Sequence, residues 1–161
     1  MPGYPVVQIK KLSENAILPE KKSVGAAAFD MYATEVVMDR FQDCQIVYKT
    51  GIAMSIPEGH VGLIYPRSSI RDTFLSLTNA VGVIDSDYRG EITFTFNYRG
   101  PLTKMVSGKL GIPIDSKDKI YKSGDRIGQI IVMPIPLVYY KEVQELSPTL
   151  RGSQGLGSTG R

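Results

Sequence analysis

Apolar and polar residues alternate with a period of two over most of this chain. QIVYKTGIAMSI at 45–56 and GEITFTFNYRG at 90–100 alternate most clearly. In the second, Ile92, Phe94 and Phe96 fall on one face and Thr93, Thr95 and Asn97 on the other. VVQIKKL at 6–12, HVGLIYPR at 60–67 and RIGQIIVMPIP at 126–136 read as further strands. Turn residues punctuate them, in PEGH at 57–60, SGD at 123–125 and PIP at 134–136. No window of about 15 residues carries a helical stripe. Only SSIRDTF, 68–74, allows a helical turn or two. Many short strands with regular turn signals predict an all-β domain: a sandwich, a jelly roll or a small barrel.

Two segments break the pattern. GPLTKMVSGKLGIPIDSKDKIYKSGD, 100–125, is rich in Gly, Pro, Ser and Lys and predicts a protruding hairpin or long loop, an insertion in a single domain spanning 1–161. The end, RGSQGLGSTGR at 151–161, has little to bury, and 148–161 is expected to be a flexible C-terminal arm. A glycine-rich arm has a second use. Its exposed N–H groups, with the hydroxyls of Ser158 and Thr159 and the forked cation of Arg151, could grip phosphate.

Composition narrows the function classes. The chain has 161 residues, 42% hydrophobic and 22% charged, enough for one globular core. No apolar run is long enough to span a bilayer. The opening MPGYPVVQIKKL lacks a basic head followed by an apolar core, so no export signal is expected and the expected location is cytoplasmic, or host cytoplasm for a phage or viral protein. The net charge of +3 is scattered and does not argue for nucleic acid, though it suits an anionic small substrate. Cys44 is the only cysteine and reads as a small core residue. His60 is the only histidine; with one His and one Cys no structural zinc site is expected, and His60 reads as a surface residue at a strand start. The stretch GVIDSDYRGEI, 82–92, places Asp85 where an apolar run ends. By itself it reads equally as a solvated hairpin tip or as an acid set in a pocket.

Five segments in order resemble the five motifs of the trimeric dUTPase family: GAAAFDMYAT (25–34), PRSSI (66–70), NAVGVIDSDYRGEI (79–92), GDRIGQII (124–131) and RGSQGLGSTG (151–160). The resemblance implies a jelly-roll-like β subunit and a homotrimer, with the C-terminal arm reaching a neighbouring subunit. It implies hydrolysis of dUTP to dUMP and pyrophosphate, which limits uracil incorporation into DNA and supplies dUMP for dTMP synthesis. Residue by residue, it implies that Asp85 orients and deprotonates the attacking water and that Tyr88 packs under the deoxyribose. Asn79, Val83, Ile84 and Thr93 would read the base and sugar. Arg67, Ser68, Ser69 and Gln129 would meet the phosphates. Asp30 would hold Mg²⁺ through water. Arg151, Leu156, Gly157, Ser158 and Thr159 would close over the substrate. Asp125 and Arg126 are expected to form a structural pair, and Asp87 to serve the turn.

The chain departs from the family pattern at three places. Ser69 stands where most members carry glycine. The 100–125 segment is longer than usual, and reads either as a tolerated insertion or as a surface for a protein partner. Leu156 replaces the phenylalanine that stacks on uracil. Two other functions remain open beside the hydrolase. RSSI at 67–70 also resembles the related dCTP deaminases, although Thr95 stands where those carry a proton-shuttling glutamate. A binding or regulatory protein on the same fold is the other. Base–aromatic stacking is worth about 1–3 kcal/mol, so Leu156→Phe is expected to lower KM for dUTP with kcat largely kept. Steady-state kinetics of the two proteins check this, and unchanged constants would mean that residue 156 is no part of a lid.

Overall fold

The computed structural model describes residues 3–38, 45–104, 110–112 and 114–154. Cys44 lies outside them, as do Leu156, Gly157, Ser158 and Thr159. In chain order the strands are β1 (Gln8–Lys11), β2 (Phe29–Tyr32), β3 (Glu35–Met38), β4 (Gln45–Ser55), β5 (His60–Tyr65), β6 (Leu75–Leu77), β7 (Gly82–Ile84), β8 (Glu91–Tyr98), β9 (Thr103–Lys104), β10 (Leu110–Gly111) and β11 (Arg126–Pro134). Short 3-10 helices occupy Ser68–Asp72 and Ile114–Lys119. No described helix is long and apolar enough to cross a membrane.

The strands form two principal sheets, the layered arrangement expected of a jelly roll. One runs β1-β4-β8-β6, with β3 also paired to β4, and the other runs β2-β11-β5-β7. Every strand pairing within them is antiparallel, β4 with β8 and β11 with β5 being the longest. Alternation along β8 turns Ile92, Phe94, Phe96 and Tyr98 inward. They meet Met31, Ile64, Ile127 and Ile130 of the opposite sheet in one apolar cluster. Phe94 and Phe96 lie nearly parallel with centroids 6.3 Å apart, and Tyr48 meets Phe96 edge-on at 5.6 Å.

A register shift between Arg126 and Gly128 lets Ile127 and Gly128 both face inward. Gly128 is there for space, since a Cβ would sit 2.0 Å from Phe94 Cε1. A second shift, on β4 between Lys49 and Ala53, is sealed by its own residues. Thr50 Oγ1 donates to the Ile92 carbonyl at 2.6 Å, and the Gly51 N–H donates to Glu91 Oε1 at 2.7 Å. Gly51 has φ +65, a left-handed conformation that favours glycine.

The strands expected from alternation appear as β1, β4, β5, β8 and β11, and the 68–74 turn appears as the first 3-10 helix. Four short strands, β2, β3, β6 and β7, have no more than four residues each, too few for alternation to register. The 100–125 segment differs from a uniform protruding loop. Its outer part pairs β9 with β10. Its inner end folds back, so that Ser116, Ile120 and Tyr121 are buried and the last two join the main core. The apolar pair Ile120–Tyr121 overrides a polar, glycine-rich composition.

Gly128→Ala is expected to cost about 1–3 kcal/mol, because the added methyl would collide with the fully buried Phe94 ring. Urea unfolding measures it. A wild-type midpoint would show that this contact does not set the spacing between sheets.

Candidate functional site

The candidate residues gather in two places. The first surrounds the β7–β8 hairpin. Asp85 follows β7 directly and is exposed; the Tyr88 N–H donates to the Asp85 carbonyl at 3.2 Å, closing the turn that contains Asp87. The Tyr88 hydroxyl donates to the Glu91 carbonyl at 3.0 Å, which lays the ring across the start of β8 with 44% of the residue exposed. Asn79, Val83, Ile84, Asp85, Tyr88 and Thr93 line a cavity of about 230 Å³ there. Ala80 has φ 54, so the chain bends sharply between Asn79 and β7. Glu91, also at this cavity, has one carboxylate oxygen committed to Gly51.

The second cluster lies where β2, β11 and the end of β5 meet. Gln129 is opposite both Tyr65 of β5 and Asp30 of β2. The register shift sends Ile127 and Ile130 into the core and leaves Arg126 and Gln129 at the outer side. Asp30 is the centre of this group. Arg67 Nε donates to its Oδ1 at 2.8 Å, and Arg126 Nη1 donates to its Oδ2 at 3.0 Å. The Asp30 side chain is only 12% exposed, against 21% for Arg67 and 38% for Arg126. Arg67 Nη1 also donates to Ser69 Oγ at 3.3 Å, while Ser68 is exposed. Gln129 Nε2 donates to the Pro66 carbonyl at 2.9 Å and so holds the strand end that presents Arg67. A groove of about 610 Å³ opens beside Asp30, Pro66 and Gln129, with Lys22 at its edge. Lys22 pairs with Glu20, whose carboxyl is held below the ordinary range by hydrogen bonds from Lys22 and then Tyr32.

One expectation changes here. Arg126 pairs with Asp30 rather than with Asp125, whose Oδ2 instead accepts the Lys122 N–H at 2.7 Å. Asp125 closes the turn before β11, and Arg126 has entered the strand pointing elsewhere. Asp30, for which the resemblance implies contact with Mg²⁺ through water, has each oxygen bonded to a guanidinium. Among the described residues no three His, Cys, Asp or Glu side chains group as a metal site, so the residues do not fit an ion held by the protein alone. Arg151 lies exposed on the arm, its Nε donating to the Gln154 carbonyl at 3.0 Å.

One chain does not unite the two clusters. Ile84, just before Asp85, pairs with Gly62 near the start of β5, whereas Arg67 lies beyond its other end. Five residues of extended chain, about 15–20 Å, separate those levels. The cavities beside Asp85 and beside Gln129 share no lining residue.

A two-sheet jelly-roll-like subunit with a base-sized cavity and a remote guanidinium cluster defines a class: β proteins whose polar site is divided. The dUTPase family model matches residues 14–102. The deoxyuridine 5'-triphosphate nucleotidohydrolase of Corynebacterium glutamicum is 36% identical over 100% of this chain and 99% of its own. Among solved structures, the Staphylococcus bacteriophage 80alpha dUTPase with dUPNHPP has a TM-score of 0.77 at 31% identity, covering 97% of this chain and 99% of that one. A mutant dUTPase from phage phi11 of S. aureus, described with a structural Mg(II) ion, has a TM-score of 0.67 at 30% identity, covering 87% and 97%. The chain belongs to the dUTPase family.

Asp30→Asn keeps the shape but removes the charge facing two guanidinium groups. It is expected to cost about 1–3 kcal/mol, below the value for a fully buried pair because Arg126 is partly solvated. Thermal or chemical denaturation reads it, and an unchanged stability would mean solvent compensates both arginines.

Proposed function

We infer that this protein hydrolyses dUTP to dUMP and pyrophosphate, with water attacking the α-phosphate. The observation that carries the reading is the pairing of an exposed carboxylate, Asp85, with a cavity lined by Asn79, Tyr88 and the β7 backbone, in a member of the dUTPase family. A carboxylate at the mouth of a base-and-sugar cavity can orient a water and take its proton. The ring of Tyr88 would form the sugar floor and leave no room for a 2'-hydroxyl. Asn79 and the backbone around Val83, Ile84 and Thr93 would meet the base edge. A site that hydrogen-bonds one base edge rejects others because it leaves buried groups unpaired.

Arg67, Ser68, Ser69 and Gln129 would receive the phosphates. Because Arg67 and Asp85 stand at different levels of one sheet, the complete site needs more than one subunit. We assign it to a homotrimer, in which the hairpin cavity of one chain faces the guanidinium cluster of another. The arm, 148–161, would supply Arg151, Leu156, Gly157, Ser158 and Thr159. Mg²⁺ enters this reading with the triphosphate, keeping its waters as it prefers, and Asp30 would meet it only through water. A deaminase is disfavoured, since the glutamate at the cavity, Glu91, is already bonded to Gly51. A protein partner at the outer 100–125 hairpin stays a separate proposal. The reaction belongs with the deoxynucleotide pool, in the cytoplasm of the cell or of a phage's host.

Pyrophosphate release from dUTP, dTTP, dCTP and UTP with Mg²⁺ tests the reading. Turnover of dUTP alone is expected. General-base help is worth about 10²–10⁴-fold, so Asp85→Asn is expected to lower kcat by at least 100-fold while dUTP still binds. Equal turnover of UTP, or an active Asp85→Asn protein, would overturn the roles of Tyr88 or Asp85.

A further inference from the structure

The inner end of the 100–125 segment lies along the loop that carries Arg67. The Phe74 N–H donates to the Lys119 carbonyl at 2.8 Å, and Lys119 Nζ donates to the Asp72 carbonyl at 3.5 Å. Ile120 and Tyr121 then enter the core. The Tyr121 ring is gripped edge-on by Tyr48 at 6.0 Å and by Phe96 at 5.8 Å. Its carbonyl accepts the Tyr48 hydroxyl at 3.2 Å. Ring and backbone are therefore fixed by groups at the centre of the domain. The Tyr121 hydroxyl lies 3.4 Å from Ser69 Oγ, which also accepts from Arg67 Nη1 at 3.3 Å.

We propose that Tyr121 is a positioning residue of the phosphate half-site, acting on Ser69 and through it on Arg67. The argument is one of donor counting. A serine hydroxyl has one proton and two acceptor lone pairs, and a guanidinium can only donate. Arg67 fills one lone pair of Ser69. With Tyr121 donating to the second, the serine proton is left for an incoming anion, next to the unused donors of Arg67. Burial raises the pKa of the Tyr121 phenol, which keeps it protonated and able to donate. Without the phenol, Ser69 can turn its proton into the protein, and the side chain of Arg67 loses one of the two fixed groups that orient it. Tyr121 thus makes a segment that reads as an insertion into the support of the phosphate loop.

That Arg67 and Ser69 meet substrate phosphates rests on the dUTP reading, so the test separates the two. Steady-state constants for dUTP, affinity for inorganic pyrophosphate by calorimetry, and competitive inhibition by deoxyuridine are measured for the full chain, for Tyr121→Phe, for Ser69→Ala and for the double variant. One neutral hydrogen bond corresponds to about 2- to 10-fold in affinity. Tyr121→Phe is expected to raise KM for dUTP and weaken pyrophosphate binding by that factor, with deoxyuridine inhibition unchanged. The double variant is expected to be no worse than Ser69→Ala, because both act through one hydroxyl. A Tyr121→Phe protein with wild-type KM and wild-type pyrophosphate affinity overturns the proposal. So do effects that multiply in the double variant, or an equal loss of deoxyuridine binding, which would mark general structural damage. A wild-type protein that binds pyrophosphate without hydrolysing dUTP overturns the hydrolase reading instead, and the pyrophosphate series still decides the role of Tyr121. A wild-type protein that binds neither overturns both.

Discussion

The contact of Phe94 with the backbone of Gly128 sets the geometry on which the rest depends. It brings β8 of one sheet against β11 of the other at a separation no side chain on residue 128 would allow. The neighbouring register shift turns two successive residues inward, so the strand regains its alternation with Gln129 outward and Ile130 buried. Gln129 then faces the end of β5 and fastens the Pro66 carbonyl, while Arg126 reaches Asp30 across β2. The polar cluster is thus a consequence of core packing. The same strand that fills the interior with Ile127 and Ile130 fixes where the guanidinium groups lie.

The long strands were legible because they are half-buried and alternate. Phe94, Phe96 and Ile92 could be assigned to the core from spacing alone. β2 and β7 were not, because three or four residues that switch between core, site and subunit surface carry no period. Asp85 and Tyr88 were visible as a hairpin with a polar tip, and the family resemblance gave that hairpin a role. The partner of Arg126 was not visible. Sequence adjacency suggested Asp125, but a turn residue and the first residue of a strand point in different directions, and Asp30 lies 96 positions away. Tyr121 was hidden for another reason. It sits in a segment whose composition is that of a loop, and its burial depends on an aromatic pocket formed by β4 and β8, which no local pattern reveals.

The division of the site has a physical side too. The chain after β11 leaves the body of the subunit with Leu137, Tyr139, Tyr140, Leu146 and Leu150 almost wholly exposed. Isolated exposed apolar residues are ordinary, but this run of them finds no cover among the described residues. The hairpin cavity and the guanidinium cluster are likewise separate in one chain. Both features fit the association of identical chains proposed above, which would cover the apolar run and would face each cluster with its complement.

The Asp30 cluster holds two guanidinium groups in a fixed arrangement. Two guanidinium groups left side by side would repel each other and sample many orientations. A shared carboxylate removes the repulsion and fixes both planes, yet it does not exhaust the donors. A guanidinium has five N–H groups. Arg67 commits Nε to Asp30 and one Nη1 proton to Ser69, which leaves three for an anion. With one carboxylate against two guanidinium groups, the cluster keeps a net positive charge. A phosphate would add bonds to an arrangement already in place and would displace none of them, so little reorganisation opposes its binding. A lone arginine on a loop would have to be ordered by the phosphate itself, at the cost of its rotamer freedom.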